Sequence, residues 1–91
     1  MKIGRIRKMC KVYQFIGKHI EALCKEKDLT PYRLSIISGV PLTTLQHLIK
    51  GTSKNPGIMT IAKICNGLEI SLGEFFSAPE LVDIMQEIDE E

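Results

Sequence analysis

Five side chains in the middle of the sequence are spaced so that they line one side of a helix. They fall at i, i+1, i+4, i+5 and i+8 and are Leu42, Thr43, Gln46, His47 and Lys50. They include hydroxyl, amide, imidazole and ammonium groups, which form hydrogen bonds but make no nucleophile–base pair. The sequence also shows no metal-binding cluster, carboxylate dyad or glycine-rich phosphate loop. We therefore expect a binding surface rather than an enzyme, with no metal and no cofactor.

Length and composition limit what else the chain contains. Its 91 residues suffice for one domain, and 44% apolar with 25% charged residues is typical of a soluble globular protein. Aromatic residues make up only 5%, which favours packed helices over a β-sandwich. The longest uncharged run, residues 34–49, is too short and too interrupted to span a bilayer of about 30 Å. Cys10, Cys24 and Cys65 form no C-x-x-C pair, as is typical of a cytoplasmic protein. We expect Cys24 and Cys65 to be buried small side chains, with Cys10 a candidate for an exposed position.

The net charge of +1 conceals a strong separation of charge along the chain. Residues 1–27 carry eight basic and two acidic side chains, whereas residues 58–91 carry one basic and eight acidic side chains. This order favours a basic surface for an anionic partner, with the acidic end held away from it. Solvated helix faces followed by a frayed acidic end are the alternative interpretation.

Apolar spacing predicts helices along the chain from residue 12 onward. The expected helices cover residues 12–27, 31–38 and 42–50, with further helices beginning near residues 58, 72 and 79. The expected inward residues are Val12, Ile16, Ile20, Leu23, Cys24, Leu34, Ile37, Leu45, Leu48, Ile49, Ile58, Ile61, Ala62, Cys65 and Leu68.

Local signals mark where these helices begin and end. Thr30 followed by Pro31 is typical of an N-cap and a first helical position. Gly39 can end the second helix because glycine adopts positive φ without steric cost. The pairs Ser71/Glu74 and Ser77/Glu80 both have the spacing of a capping box.

Two short helices around a glycine-centred turn are typical of a helix-turn-helix. Within residues 29–51 the informative positions are Leu34-Ser35, Gly39-Val40, Leu45, Leu48 and Gly51. Further positions are Asn55-Pro56, Thr60-Ile61, Lys63-Ile64, Leu68 and Ile70-Ser71-Leu72. Over about residues 16–76 this combination resembles the phage repressor/Cro (xenobiotic-response-element-like) family of helix-turn-helix proteins. The resemblance implies an all-α, five-helix repressor-like DNA-binding domain, to which the final amphipathic segment adds a short C-terminal helix.

The resemblance also implies a role for the stripe of residues 42–50. In the family this helix enters the major groove of double-stranded DNA, so base contacts are expected from Leu42, Thr43, Gln46 and His47. Gln46 can bind adenine through two hydrogen bonds, and Leu42 and the methyl group of Thr43 can contact a thymine methyl.

Phosphate contacts are expected from two segments that flank this stripe. One is the start of the second helix, where free N–H groups and the positive dipole end attract anions. The other is the polar segment that follows the third helix. The residues expected in these two segments are Thr30, Tyr32, Arg33, Thr52, Ser53, Lys54 and Asn55. Two residues of the third helix are added to them: Lys50 at its end and Thr44, which is expected nearer the DNA backbone.

The sequence departs from the family pattern at three points. Pro31 stands where many members have Gln, which removes one side-chain contact to phosphate. The stripe contains no Arg, and its first residue, Leu42, is an exposed apolar side chain. Glu69 stands where the family usually has Gly after the fourth helix, and a left-handed Glu costs on the order of 1 kcal/mol.

Three segments are therefore expected. Residues 1–11 form a basic N-terminal arm for DNA or, alternatively, a disordered start, and residues 12–76 form the helix-turn-helix domain. Residues 77–91 form an acidic helix whose apolar stripe we expect to contribute to a homodimer: Leu81, Ile84, Met85 and Ile88.

Two functions remain open at this point. The first is a sequence-specific DNA-binding transcriptional regulator with double-stranded DNA as its partner. The alternative is an antitoxin-like module that binds another protein, with the C-terminal helix as the candidate contact.

Overall fold

The computed structural model describes residues 2–53 and 56–89, with side-chain placements for residues 12, 14–53, 56–84 and 86. The described residues form six helices and no strand, which confirms the all-α expectation. In chain order the helices are α1 (Lys2–Glu26), α2 (Pro31–Ser38), α3 (Leu42–Lys50), α4 (Ile58–Leu68), α5 (Leu72–Phe75) and α6 (Pro79–Asp89). None of the described helices combines the length and the apolar composition needed to cross a membrane.

Helix α1 begins earlier than the apolar spacing predicted. It starts at Lys2 rather than near residue 12, so the basic segment 2–11 is a helical extension of the domain. Its role as an arm on DNA stays a prediction. The helix ends in a Schellman motif: Leu29 N–H donates to the Cys24 carbonyl at 2.8 Å and Asp28, at φ 57°, takes the left-handed position.

Helices α2 and α3 have the predicted bounds because local signals fix them. The Thr30 hydroxyl accepts a hydrogen bond from Arg33 N–H at 3.1 Å, which satisfies one free donor of the first turn. Gly39, at φ 77°, ends α2, and Gly51, at φ 76°, ends α3. The N–H of Val40 donates to the Ser38 hydroxyl at 3.2 Å and holds the turn between the two helices.

One aliphatic core lies between the helices. Its buried members are Ile16, Ile20, Cys24, Leu34, Val40, Leu45, Leu48, Ile61, Ile64, Cys65, Leu68 and Phe75. Most of the expected inward residues are buried or packed against this core, but Ile37 and Ile58 are 48% and 62% exposed. Helix α2 buries only Leu34, and Ile37 instead lies at the rim of an open cleft. Ile58 opens α4, and side chains point toward a helix N-terminus, so it projects beyond the core.

Two glycines allow helices to approach more closely than a side chain would permit. A Cβ on Gly17 of α1 would collide with the Leu48 carbonyl oxygen and lie 2.7 Å from that of Ile49. A Cβ on Gly67 of α4 would lie 3.0 Å from Ser38 Cβ in α2. Within α2, the Ser35 hydroxyl donates to the Tyr32 carbonyl at 2.6 Å. The α2–α4 approach therefore depends on Gly67.

The last two helices pack on the outside of α1 and α4. Only one of the two predicted capping boxes forms: Ser71 N–H donates to Glu74 Oε1, and Glu74 N–H donates to Ser71 Oγ, both at 3.0 Å. Ser77 does not cap α6, because α6 begins at Pro79 and is preceded directly by Ala78. The Ser77 hydroxyl donates to the Glu74 carbonyl at 3.0 Å. Helix α6 lies against α1 and buries Leu81.

Replacing Glu69 with glycine is expected to stabilise the protein by about 1 kcal/mol, because Glu69 holds the left-handed position after α4. Its φ of 61° and ψ of 40° confirm the expected conformation. The gain corresponds to a rise in Tm of about 4–8 °C. Asp28→Gly is the matched control, since aspartate tolerates this conformation better and should gain less. An equal or lower Tm for Glu69→Gly would contradict the assigned strain.

The capping box of α5 should make part of the stability depend on acid pH. Hydrogen bonds from the backbone and side chain of Ser71 hold the pKa of Glu74 below its ordinary value. A lowered pKa in the folded state stabilises the fold above the ordinary carboxyl pKa, and this contribution is lost as pH falls through the lowered value. Wild type should therefore be more stable than Glu74→Gln at neutral pH, with the difference shrinking under acid conditions in urea titrations. A stability difference between the two proteins that does not change with pH would contradict this role of the capping box.

Candidate nucleic-acid interface

Helix α3 has a buried side and an exposed side, and the predicted stripe lies on the exposed side. Leu45 and Leu48 are fully or almost fully buried, at 0% and 2% exposure. The opposite side, which we call the outer face of α3, carries Leu42, Thr43, Gln46, His47 and Lys50. Four of these are exposed, but Leu42 is half-buried rather than exposed as expected. The outer face therefore presents mainly polar side chains to a partner.

The end of α3 is joined to the following segment by Thr52. Its N–H donates to the His47 carbonyl at 3.0 Å, and its hydroxyl lies 3.1 Å from the same oxygen. The same hydroxyl oxygen lies 3.1 Å from Nδ1 of His47. This pairing holds the His47 ring against the turn after α3, and the sequence had given no sign of it.

Five of the expected phosphate-binding residues lie at the start of α2 or at the end of α3. Tyr32, 63% exposed, and Arg33 lie in the exposed first turn of α2, beside the N-cap Thr30. Lys50 and Thr52 are exposed at the end of α3. The remaining members are Thr44 and Ser53, which are half-buried, and Lys54 and Asn55, which lie outside the described residues.

Helix α1 positions the end of α3 through Gly17, a residue that the sequence argument had not singled out. At this point α1 and α3 lie too close together to hold a side chain, because a Cβ on Gly17 would collide with backbone atoms of α3. A signal was available, because glycine inside an apolar helical pattern costs about 1 kcal/mol relative to alanine, and a close helix contact is one reason for that cost to be accepted. Gly17 stands beside the core residue Ile16 and three residues before Ile20.

The buried thiols serve as core side chains. Cys24 and Cys65 are free and buried, as expected. Burial raises the pKa of both thiols, and the nearby Glu21 raises the pKa of Cys24 further. Both therefore stay protonated near neutral pH, which makes them poor nucleophiles and poor metal ligands. Cys10 lies outside the described side chains.

Part of the apolar stripe on α6, which was expected to form a dimer contact, packs against the rest of the same copy. Leu81 is 8% exposed, and half-buried Ile84 lines a groove beside Phe15 and His19 of α1. The side chains of Met85 and Ile88 lie outside the described residues. Leu81 therefore contributes to the fold of a single copy, and the dimer role of this helix stays a prediction.

Comparison with known families matches residues 19–80 to the Cro/C1-type HTH DNA-binding domain. The match begins in the second half of α1, includes all of α2 to α5 and ends at the start of α6. No curated protein and no solved structure matched the chain. Because the matched region covers more than half of its residues, the chain belongs to the Cro/C1-type helix-turn-helix family of DNA-binding domains.

Proposed function

We propose that this protein is a sequence-specific transcriptional regulator that binds double-stranded DNA with α3 in the major groove. The observation that carries the proposal is the two-sided character of α3. Leu45 and Leu48 attach it to the core, so the polar outer face is free. A single α-helix fits the major groove, where each base pair has a distinct pattern of donors and acceptors.

The outer face supplies the groups for reading bases. Gln46 is exposed and offers an amide that matches the N6 donor and N7 acceptor of adenine. Thr43 is exposed one turn earlier, and its methyl group suits the methyl of thymine. Half-buried Leu42 adds a smaller apolar contact at the start of the helix. We therefore propose a site that includes an A·T pair opposite Gln46.

Contacts to phosphate come from the helix ends. Arg33 and Tyr32 stand at the N-terminus of α2, where the helix dipole also attracts an anion. Lys50 is exposed at the end of α3 and can reach the other side of the groove. Thr30, Thr44, Ser53, Lys54 and Asn55 complete the proposed set, and Thr52 is left out because both of its donors bind the His47 carbonyl. These contacts position α3 without carrying sequence information.

The regulator is proposed to act as a homodimer on two half-sites about one DNA turn apart. Leu81 is buried within one copy, so it is not available for a dimer contact. Val82 of α6 is 49% exposed and is an apolar side chain that a second copy can contact. Sedimentation equilibrium of the full chain and of Val82→Glu, each with and without a two-half-site duplex, tests this. A one-copy complex on that duplex would exclude the dimer.

Binding to randomised duplex DNA at several salt concentrations tests the DNA function. Affinity should fall with salt, with a log–log slope of about 0.9 per phosphate contact. Lys50→Ala should reduce that slope by about 1, while Lys63→Ala, an exposed lysine on α4, should leave it unchanged. Salt-independent binding, or no binding, would reject the proposal.

A protein partner is the second candidate, and the outer surface of α2 favours it. Tyr32, Ile36 and Ile37 are 63%, 56% and 48% exposed, which is a large apolar area for an eight-residue helix. Replacing Ile36 and Ile37 with serine separates the two functions. DNA affinity that stays unchanged, with loss of a co-purifying protein, would support an antitoxin-like module.

A further inference from the structure

We infer that His47 reads the exocyclic amine of an adenine or cytosine through Nε2, and that Thr52 sets this preference by fixing the imidazole tautomer. The inference rests on the proposed function, because it assumes that the outer face of α3 lies against base edges. It assigns Thr52 a positioning role in place of the expected phosphate contact.

The hydrogen-bond geometry at Thr52 selects the tautomer. A hydroxyl has one proton, and Thr52 Oγ1 lies 3.1 Å from both the His47 carbonyl oxygen and His47 Nδ1. The carbonyl oxygen can only accept, so the hydroxyl proton is donated to it. Both contacts are then hydrogen bonds only if Nδ1 carries the ring proton and donates to Oγ1.

The tautomer determines what the other ring nitrogen can recognise. A neutral imidazole protonated on Nδ1 has a lone pair on Nε2, which is therefore an acceptor. In the major groove the donors are the N6 amine of adenine and the N4 amine of cytosine. His47 therefore favours a base pair that places one of these amines opposite Nε2, and disfavours one that places guanine O6 or N7 there.

The same geometry leaves Thr52 little capacity to bind DNA directly. A phosphate oxygen needs a donor, and the only side-chain proton of Thr52 points to the His47 carbonyl. Its backbone N–H donates to the same carbonyl oxygen at 3.0 Å. Both donors of Thr52 are thus used within the turn after α3, which makes it a support for His47.

The test uses a duplex selected from a randomised pool, bound in a buffer alkaline enough to keep imidazoles neutral. The base pair whose preference changes in His47→Ala is identified first. Two modified duplexes are then made at that pair, one lacking the exocyclic amine and one carrying a 7-deaza purine. Deleting the amine should weaken wild type about 5-fold, the usual net effect of one hydrogen bond, and should not affect His47→Ala. The 7-deaza purine should have little effect on wild type.

Variants of Thr52 separate positioning from phosphate binding. Thr52→Val keeps the shape and removes the hydroxyl, so the cost of deleting the amine should fall to about 2-fold or less. Thr52→Ser restores the hydroxyl and should restore the full cost. Thermal unfolding of each variant confirms that the fold is retained.

Several outcomes overturn the inference. The first is that the 7-deaza purine weakens binding strongly while deletion of the amine does not. The second is that no base-pair preference changes in His47→Ala. The third is that Thr52→Val weakens binding to all duplexes equally. If no sequence is selected at all, the proposed function fails as well. In the other three cases the proposed function stands and only the roles of His47 and Thr52 are rejected.

Discussion

Replacing Gly17 with alanine is expected to destabilise the folded protein by about 2 kcal/mol. The new methyl group would collide with the backbone carbonyl oxygen of Leu48 and lie 2.7 Å from that of Ile49. Backbone atoms of a packed helix cannot rotate away as a side chain does, so α1 and α3 would have to separate. Overpacking costs about 1–3 kcal/mol, and alanine regains about 1 kcal/mol of helix propensity, so a collision at the upper end leaves a net loss.

Gly73→Ala is the matched control for this prediction. Gly73 is also helical, in α5, but the nearest atom to its Cβ would be Ser71 Oγ at 3.8 Å, an ordinary contact. That substitution should leave Tm unchanged or raise it slightly. Urea unfolding followed by circular dichroism measures both variants. Equal stability of Gly17→Ala and wild type would show that α1 does not approach α3 as closely as the structure indicates.

Local signals explain why the helix-turn-helix could be predicted closely. Thr30, Gly39 and Gly51 act on their immediate neighbours, through a cap or a positive φ, so their effect can be read without knowing the fold. The features that were predicted wrongly depend on tertiary packing. A period of 3.6 residues does not determine how wide the buried stripe of a short helix is, which is why Ile37 and Ile58 were misplaced.

The residues of the candidate site could be predicted about as well as the helix-turn-helix itself. Spacing alone places Thr43, Gln46 and His47 on one side of α3, because the helix itself fixes that relation. The link between His47 and Thr52 was not predictable, since it depends on how the chain leaves the helix after Gly51. The closeness of Gly17 to α3 likewise depends on two helices that are distant in sequence.

The largest effect on recognition is expected from Gln46→Ala. If the amide binds adenine through two hydrogen bonds, its loss should weaken the selected duplex by about 1–3 kcal/mol, which is about 5- to 150-fold. Binding to a duplex that lacks that adenine should change little, because such a duplex gains nothing from the amide. The ratio of the two affinities, measured by fluorescence anisotropy at one fixed salt concentration, is the quantity to compare.

Gln86→Ala is a suitable control, because Gln86 is an exposed glutamine on α6, outside α3. It should leave both affinities unchanged. Uniform weakening of all duplexes by Gln46→Ala would assign Gln46 to the phosphate backbone, and an unchanged selected duplex would remove it from the interface. The distinction is sharp because contacts to phosphate are shared by every sequence, whereas a contact to a base edge is present only where that base occurs.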